Sequence, residues 1–128
     1  MAETEKITIN MSVVDLGKVD LLVEEGFYQN RTDFIRTAIR IQLEKHETEL
    51  QRAVIQHSFV LGVQIYSQKD LERKVAKGER VRCRVIGMLI IENDISPDLA
   101  VQAFESIRVH GVLKASPEVK NALKDCIR

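Results

Sequence analysis

The residues with the greatest capacity for metal chemistry are three histidines and two cysteines. His46, His57 and His110 lie far apart in the sequence, and Cys83 is the one further soft ligand outside the C-terminal segment. Metal sites usually contain at least one closely spaced ligand pair, and neither His-x-His nor Cys-x-x-Cys occurs in this chain. The sequence therefore predicts no metal site and no cofactor. It predicts that His110 is a partly buried structural histidine and that Cys83 and Cys126 are packing residues.

The sequence contains no arrangement of residues typical of an enzyme. We find no Gly-rich phosphate loop, no paired carboxylates and no Ser/His/Asp constellation, so we expect a protein that is not an enzyme. One charged cluster is distinctive, because Arg80, Arg82 and Arg84 alternate along the start of a predicted strand. Two interpretations stay open: a solvated strand end, or a contact for an acidic partner or for DNA beside a binding site.

Length and composition set the broad class of the protein. The chain has 128 residues, of which 45% are hydrophobic and 30% charged, values typical of one globular domain or two small ones. The net charge is zero, yet residues 1–50 have a net charge of −4 and residues 51–128 a net charge of +4. The longest apolar run, residues 85–91, is too short to cross a membrane. With no signal-peptide pattern and two distant cysteines, we expect a cytoplasmic protein.

The first 45 residues predict one strand followed by two helices. Residues 6–11 alternate between polar and apolar side chains, which is typical of a strand with one buried face. The polar positions are Lys6, Thr8 and Asn10, and the apolar positions are Ile7, Ile9 and Met11. Ser12 is a good N-cap for the first helix, and Gly26 is a natural end for it. The next cap, Asn30-Arg31-Thr32-Asp33, precedes a second apolar stripe that begins at Phe34 and extends through Leu43 toward Ile55.

Residues 57–128 contain an internal repeat of about 25 residues. Three apolar runs share a central glycine, at Gly62, Gly87 and Gly111, and each run is followed by a segment that begins with serine. In two of them a proline and an acidic residue follow the serine, which is a strong signal for a helix start. The helical stripes predicted after the runs are Leu71/Val75, Leu99/Ala103/Phe104 and Val119/Leu123/Cys126/Ile127. Three strand–helix units of this length predict a short solenoid-like domain with parallel strands and a column of stacked glycines.

Both faces of these strands are mostly apolar. A strand buried on both faces needs helices on one side and a second cover on the other. In so small a unit, we expect the second cover to be another copy of the chain.

The N-terminal pattern of strand, capped helix, Gly turn and second capped helix resembles the ribbon-helix-helix family of DNA-binding transcriptional regulators, of the Arc, MetJ and CopG type. The resemblance covers about a third of the chain, and its most specific piece is residues 26–40. It implies a β-α-α module over residues 5–46 that forms an intertwined homodimer, and together with the repeats that follow it predicts an α/β protein. Residues 47–56 would be a helical continuation or a linker. Residues 57–128 would be a βα-repeat domain for oligomerisation, to a tetramer or higher, or for effector response.

The resemblance also implies which residues contact DNA. Two copies of the strand would form an antiparallel ribbon in the major groove of double-stranded DNA, with Lys6, Thr8 and Asn10 contacting bases. The start of the second helix, at Asn30, Arg31 and Thr32, would hold a backbone phosphate. The negative charge of residues 1–50 departs from a strongly basic DNA-binding domain and indicates modest non-specific affinity. Arg36 and Arg40 are expected to line the solvated face of the second helix.

The function that follows from the resemblance is a sequence-specific transcriptional regulator, a repressor located at the nucleoid. The alternative is an antitoxin that binds its own operator and neutralises a protein toxin with its C-terminal half. A third interpretation is a self-assembling structural protein anchored to DNA. We place the repressor first, because the repeated and capped units of residues 57–128 predict a folded domain and not a flexible toxin-binding segment.

Overall fold

The computed structural model describes residues 4–128 of the chain, and these residues form a mixed α/β fold. The elements, in chain order, are α1 (Val13–Glu24), α2 (Arg31–Lys45), α3 (Glu47–Gln56), β1 (Val60–Tyr66), α4 (Gln68–Ala76), β2 (Val81–Ile91), α5 (Pro97–Ala103), β3 (Phe104–Lys114) and α6 (Pro117–Ala122). The chain divides into two compact units, Met1–Gln51 and Arg52–Arg128, and the boundary falls within α3. None of the helices formed by residues 4–128 is long and apolar enough to span a bilayer.

Both helices of the first unit begin at their predicted caps, and α1 ends just before Gly26 as predicted. The predicted continuation of the second helix toward Ile55 is interrupted at His46, after which α3 begins. The Ser12 hydroxyl accepts a hydrogen bond of 3.2 Å from the amide of Asp15 and begins α1. Gly26 follows the end of α1 with a φ of +87°, a left-handed conformation that glycine adopts without steric cost. In the turn and the start of α2, the rings of Tyr28 and Phe34 pack edge to face with their centroids 4.9 Å apart.

Residues 4–12 form no strand in the single chain, where the sequence predicts one over residues 6–11. A strand is defined by hydrogen bonds to a neighbouring strand, and the other strands among the described residues belong to a separate sheet of the second unit. The predicted β-α-α module is therefore an α-α pair preceded by an irregular segment when one copy of the chain is considered alone.

The second unit is built on a parallel sheet in the order β1-β2-β3, which confirms the predicted parallel strands. The register places Gly62 beside Gly87 and Gly87 beside Gly111, so the predicted glycine column is also confirmed. A Cβ atom built on Gly87 would lie 2.2 Å from the carbonyl oxygen of Gly62, and one built on Gly111 would lie 2.0 Å from that of Gly87. Only glycine allows the backbones to approach this closely.

One face of the sheet packs against α4, α5 and α6. Each of these helices begins at a serine, Ser67, Ser96 or Ser116, whose hydroxyl accepts a hydrogen bond from a backbone amide in the first turn. The core between the helices and the sheet consists of buried apolar side chains from all of these elements except β1. Its largest fully buried members are Phe104, Leu71, Leu89, Ile91, Ile107, Leu123, Val85 and Val119.

Four residues of the predicted helical stripes lie outside the helices: Phe104, Leu123, Cys126 and Ile127. Phe104 is the first residue of β3, because α5 ends at Ala103 and the strand begins without a loop. Cys126 and Ile127 lie beyond the end of α6, and Ile127 forms a parallel bridge with Ile107 of β3. All four side chains still contribute to the core, since Phe104 and Leu123 are fully buried and the other two pack against it. Burial was predicted correctly for these positions, and helical structure was not.

The opposite face of the sheet, here called the open face, is formed by apolar side chains that point away from the helices. Its members are Leu61, Val63, Ile65, Ile86, Met88, Ile90 and Val112. The core between the sheet and the helices includes none of them. On β1, Leu61, Val63 and Ile65 are 72%, 48% and 53% exposed, whereas Met88 at the centre of the face is 5% exposed and Ile86, Ile90 and Val112 are half-buried.

Candidate nucleic-acid interface

The three predicted base-contacting residues lie in the irregular segment before α1. Lys6, Thr8 and Asn10 are all exposed. The apolar residues between them are exposed as well, with Ile7 at 73% and Ile9 at 61%. Lys6 and Asn10 carry hydrogen-bond donors, and Asn10 and Thr8 can also accept. The segment therefore presents both a polar and an apolar set of side chains to the surroundings of the single chain.

The start of α2 is fixed by a reciprocal cap. The Asn30 side chain accepts a hydrogen bond of 2.8 Å from the amide of Asp33, and the Asp33 carboxylate accepts one of 3.0 Å from the amide of Gln29. Helix geometry leaves the amides of Arg31 and Thr32 without an intrahelical acceptor, and both residues are exposed. Of the three residues predicted to hold a phosphate, Asn30 caps the helix, while Arg31 and Thr32 present their amides outward.

The Arg31 side chain has a partner within the first unit. Its guanidinium donates two hydrogen bonds of 2.8 Å to the carboxylate of Asp20 on α1. The hydrogen bonds and the charge of Arg31 lower the pKa of Asp20 below its ordinary value. This ion pair ties the start of α2 to the middle of α1. It also places a negative charge beside the predicted phosphate position, so the net charge that Arg31 offers to an anion is reduced.

One histidine, His110, lies in a different environment from the one predicted. His110 lies beside Ile86 in the sheet register, as the repeat predicts, but its side chain is exposed and not partly buried. Its ring packs edge to face on Phe59, with centroids 5.2 Å apart. The reason is that His110 belongs to the side of the sheet that the helices do not cover. Among residues 4–128, no group of three or more His, Cys, Asp or Glu side chains converges in a way that could hold a metal ion.

The two cysteines of the second unit lie in different surroundings. Cys83 is 4% exposed in the core of β2, which confirms its role as a packing residue. Burial raises the pKa of its thiol to about 11. Cys126 is half-buried after α6, and its sulfur lies 3.9 Å from the carbonyl oxygen of Phe104.

The three arginines at the start of β2 have four partner residues within the second unit. Arg80 donates to the carbonyl oxygens of Val101 and Phe104 at 3.1 and 2.8 Å, and so joins the start of β2 to the end of α5. Arg82 forms an ion pair with Glu105. Arg84 donates to the carbonyl oxygen of His57 at 2.9 Å. These contacts give each arginine a structural role inside the second unit.

Two side-chain contacts were not predicted from the sequence. The Asp20–Arg31 pair joins residues eleven positions apart, across a turn, and no helical spacing indicates it. Arg108 lies over the Phe59 ring at 5.7 Å from its centroid, next to Arg84 in the sheet register. When the apolar runs are aligned on their central glycines, Arg84 and Arg108 occupy the same position, so their proximity in the sheet could have been predicted.

Arg36 and Arg40 are exposed on α2, as expected.

Comparison with known proteins extends the resemblance over most of the chain. The model of a ribbon-helix-helix transcriptional regulator family matches residues 2–120. The match includes most of the βα repeats, so the resemblance extends beyond the N-terminal third of the chain. Neither the curated proteins nor the solved structures give a significant match. Because the family model spans nearly the whole sequence, the chain belongs to the ribbon-helix-helix transcriptional regulator family.

Proposed function

We propose that the protein is a homodimeric repressor that reads double-stranded DNA through the major groove. Two copies of residues 6–11 pair into an antiparallel ribbon, whose polar side chains contact base edges. The alternative roles, an antitoxin or a DNA-anchored structural protein, use the same DNA-binding half and differ in the second unit.

The observation that carries this proposal is the exposure of apolar side chains in the first unit. Among residues 4–51, Val19 is the one hydrophobic side chain that is fully buried, at 4% exposure. The large apolar side chains left exposed there are Ile7, Ile9, Met11, Val13, Val14, Leu21, Phe27, Ile39, Ile41, Leu43 and Leu50. A single copy of this unit therefore has almost no core, and an interlocked second copy supplies the missing contacts.

The alternation of residues 6–11 assigns opposite roles to neighbouring residues of the ribbon. Once two strands pair, Ile7, Ile9 and Met11 face the shared core, and the polar residues between them face the DNA. Lys6 can donate to guanine, and Asn10 can form two hydrogen bonds with adenine. Thr8 can contact a base edge or a thymine methyl group.

The start of α2 is proposed to hold the DNA backbone. The outward amides of Arg31 and Thr32 lie at the positive end of the helix dipole and suit a phosphate oxygen. Asn30 contributes by shaping the helix start, since its side chain is engaged with the amide of Asp33. The Arg31 guanidinium is shared with Asp20, so it adds less charge than a free arginine would.

A repressor is favoured over an antitoxin by the second unit. Residues 52–128 have their own buried core between the sheet and three helices. An antitoxin of the type considered uses a flexible C-terminal segment that wraps its toxin, and such a segment would have no core of its own.

The decisive experiment compares Asn10→Ala with Ile9→Ala. Asn10→Ala should leave the dimer folded and reduce discrimination between operator and non-specific DNA by about 1–3 kcal/mol. Ile9→Ala should dissociate or unfold the first unit, because the side chain is core in the dimer although it is 61% exposed in one chain. Binding isotherms, circular dichroism and sedimentation on both variants measure these effects.

The same two variants can contradict the proposal. If single chains were the functional state, Ile9→Ala would be nearly neutral for folding, since it would shorten an exposed side chain. An Asn10 variant that unfolds, together with an Ile9 variant that stays folded and loses DNA binding, would show that the ribbon faces are reversed.

A further inference from the structure

We propose that the open face of the β1–β3 sheet packs against the same face of a second copy, with the strands of the two sheets running in opposite directions. The inference rests on the homodimer of the proposed function, because that dimer keeps a second copy permanently close. It adds a second interface, made by residues 52–128, to the one proposed for the first unit.

The need for a cover follows from the chemistry of the face. Parallel sheets occur almost only where both of their faces are buried. The helices cover one face, while Leu61, Val63 and Ile65 remain exposed on the other. The strand register arranges the centre of this face in three rows, Leu61–Ile86–His110, Val63–Met88–Val112 and Ile65–Ile90–Lys114. Seven of these nine side chains are apolar, and the other two, His110 and Lys114, lie on β3. Such a surface offers few donors or acceptors to DNA or to a polar ligand, and it suits another apolar face.

The size of the face explains why the second copy is the occupant. Three strands and three outward rows measure about 14 Å by 20 Å, or roughly 280 Å² per copy. A stable interface between separate proteins buries about 800 Å² per partner. The open face is therefore too small to capture a free protein tightly. A copy already held by the first unit is present at an effective concentration of about millimolar, where a small apolar face is sufficient.

The positions of the charges select one of the two symmetric ways of stacking the faces. Arg84 and Arg108 lie side by side at the amino end of the open face. In a stack with parallel strand directions, the two Arg84 side chains would lie over each other, which is unfavourable for like charges. With opposite strand directions, the arginines move to opposite ends of the interface, where water solvates them.

The strand register then predicts which residues meet. The row Val63–Met88–Val112 lies at the centre of the apolar area, so the two-fold axis passes through it. Each of these residues faces its own counterpart in the second copy. Leu61 of one copy faces Ile65 of the other, and Ile86 faces Ile90. Arg84 falls over the position of Glu92, which follows β2 at its carboxyl end and has the opposite charge.

Cysteine cross-linking of the full chain tests this arrangement. Val63 and Val60 lie on the same strand with nearly equal exposure, 48% and 47%, but on opposite faces of the sheet. With a short bis-maleimide, Val63→Cys should cross-link between copies at least tenfold faster than the matched control Val60→Cys. The unsubstituted chain measures the background from Cys83 and Cys126. Arg84→Cys tests the orientation, because opposite strand directions hold its two copies about 26 Å apart.

The outcomes separate this inference from the proposed function. Fast cross-linking at Val63→Cys that is lost on adding Leu61→Lys, but kept on adding Val60→Lys, supports the paired faces. Equal rates at Val63→Cys and Val60→Cys in a chain that sediments as a dimer and binds DNA overturn the sheet pairing alone. Fast cross-linking at Arg84→Cys overturns the orientation. A chain that sediments as a monomer at micromolar concentration overturns the dimer of the proposed function and this interface together.

Discussion

The guanidinium of Arg31 and the carboxylate of Asp20 form a two-bond ion pair, with both donor–acceptor distances at 2.8 Å, that links the start of α2 to α1. The pair lies where a DNA phosphate is proposed to bind. The carboxylate fixes the orientation of the guanidinium and at the same time neutralises it. Residues 1–50 have a net charge of −4, so few other positive charges compensate for this loss. The pair is therefore expected to limit non-specific affinity for DNA.

Removing the Asp20 charge should strengthen binding to all DNA sequences. In Asp20→Asn the guanidinium of Arg31 becomes available to a phosphate, and the logarithm of affinity should fall more steeply with the logarithm of salt, by about one unit of slope. Asp15→Asn is the matched control, because it removes the same charge from α1 at a residue whose carboxylate has no ion pair among the described residues. Equal changes in the salt slope of the two variants would show that Arg31 does not contact phosphate.

The glycine column shows which part of the fold was accessible from the sequence. Gly62, Gly87 and Gly111 recur at spacings of 25 and 24 residues inside apolar runs, and a repeat of nearly constant length is typical of stacked, similar units. The parallel register and the close backbone approach follow from that constraint. The capping serines were predictable for a similar reason, since each one acts on amides within its own turn.

Other features depend on contacts that leave no local pattern. The exposure of His110 could not be read from its position in the repeat, because whether a sheet face is covered depends on the rest of the assembly. Phe104 continues a helical stripe in the sequence, yet it begins β3, since apolar residues fit either period at an element boundary. The strand predicted over residues 6–11 needs a neighbouring strand. For that reason the predicted strand is absent from the first unit when one copy of the chain is considered alone.

Substitution of Gly87 by alanine should severely destabilise the second unit. The added Cβ would lie 2.2 Å from the Gly62 carbonyl oxygen, and the backbone φ of +134° is strained for any other residue. We expect a loss of about 3 kcal/mol or more in the free energy of unfolding. Gly17→Ala is the control, because nothing lies within 4 Å of its Cβ position and α1 should be stabilised by about 0.5–1 kcal/mol. Urea unfolding followed by circular dichroism measures both, and a Gly87 variant as stable as the parent would contradict the close packing of the column.

The second unit should lose stability at alkaline pH. Burial raises the pKa of Cys83 from 9.0 to about 11, and burial also raises the pKa of Tyr66 above its ordinary 10.0. Both groups are neutral in the folded state and ionise more easily when unfolded. The contribution of Cys83 to stability is therefore complete below pH 9 and is lost as the pH rises from 9 toward 11, and that of Tyr66 is complete below pH 10 and is lost as the pH rises above 10.

The variant Cys83→Ala isolates the part that is due to the thiol. Between pH 9 and 11, the free energy of unfolding of the parent should fall more steeply with pH than that of Cys83→Ala, by up to about 1.4 kcal/mol per pH unit. At pH 7–8, where the thiol is protonated in both states, the two proteins should show the same slope. Identical slopes above pH 9 would show that Cys83 ionises in the folded protein, which contradicts its burial.

The folding of the first unit should depend on protein concentration. A peptide of residues 1–51 has Val19 as its one fully buried hydrophobic side chain among the described residues, so one copy gains little free energy from burial. A second copy can cover Ile7, Ile9 and Met11 by pairing the two strands. For a transition from folded dimer to unfolded monomers, the unfolding midpoint rises with total concentration.

The measurement is thermal unfolding of this peptide by circular dichroism over a hundredfold range of concentration, with sedimentation equilibrium at the same concentrations. We expect the midpoint to rise with concentration and the folded species to have the mass of two chains. Ile9→Ala should lower the midpoint at every concentration, whereas Asn10→Ala should leave it nearly unchanged, because only the first side chain enters the shared core. A midpoint independent of concentration, with the mass of a single folded chain, would mean that residues 1–51 find their core without a second copy. The ribbon would then have no structural basis.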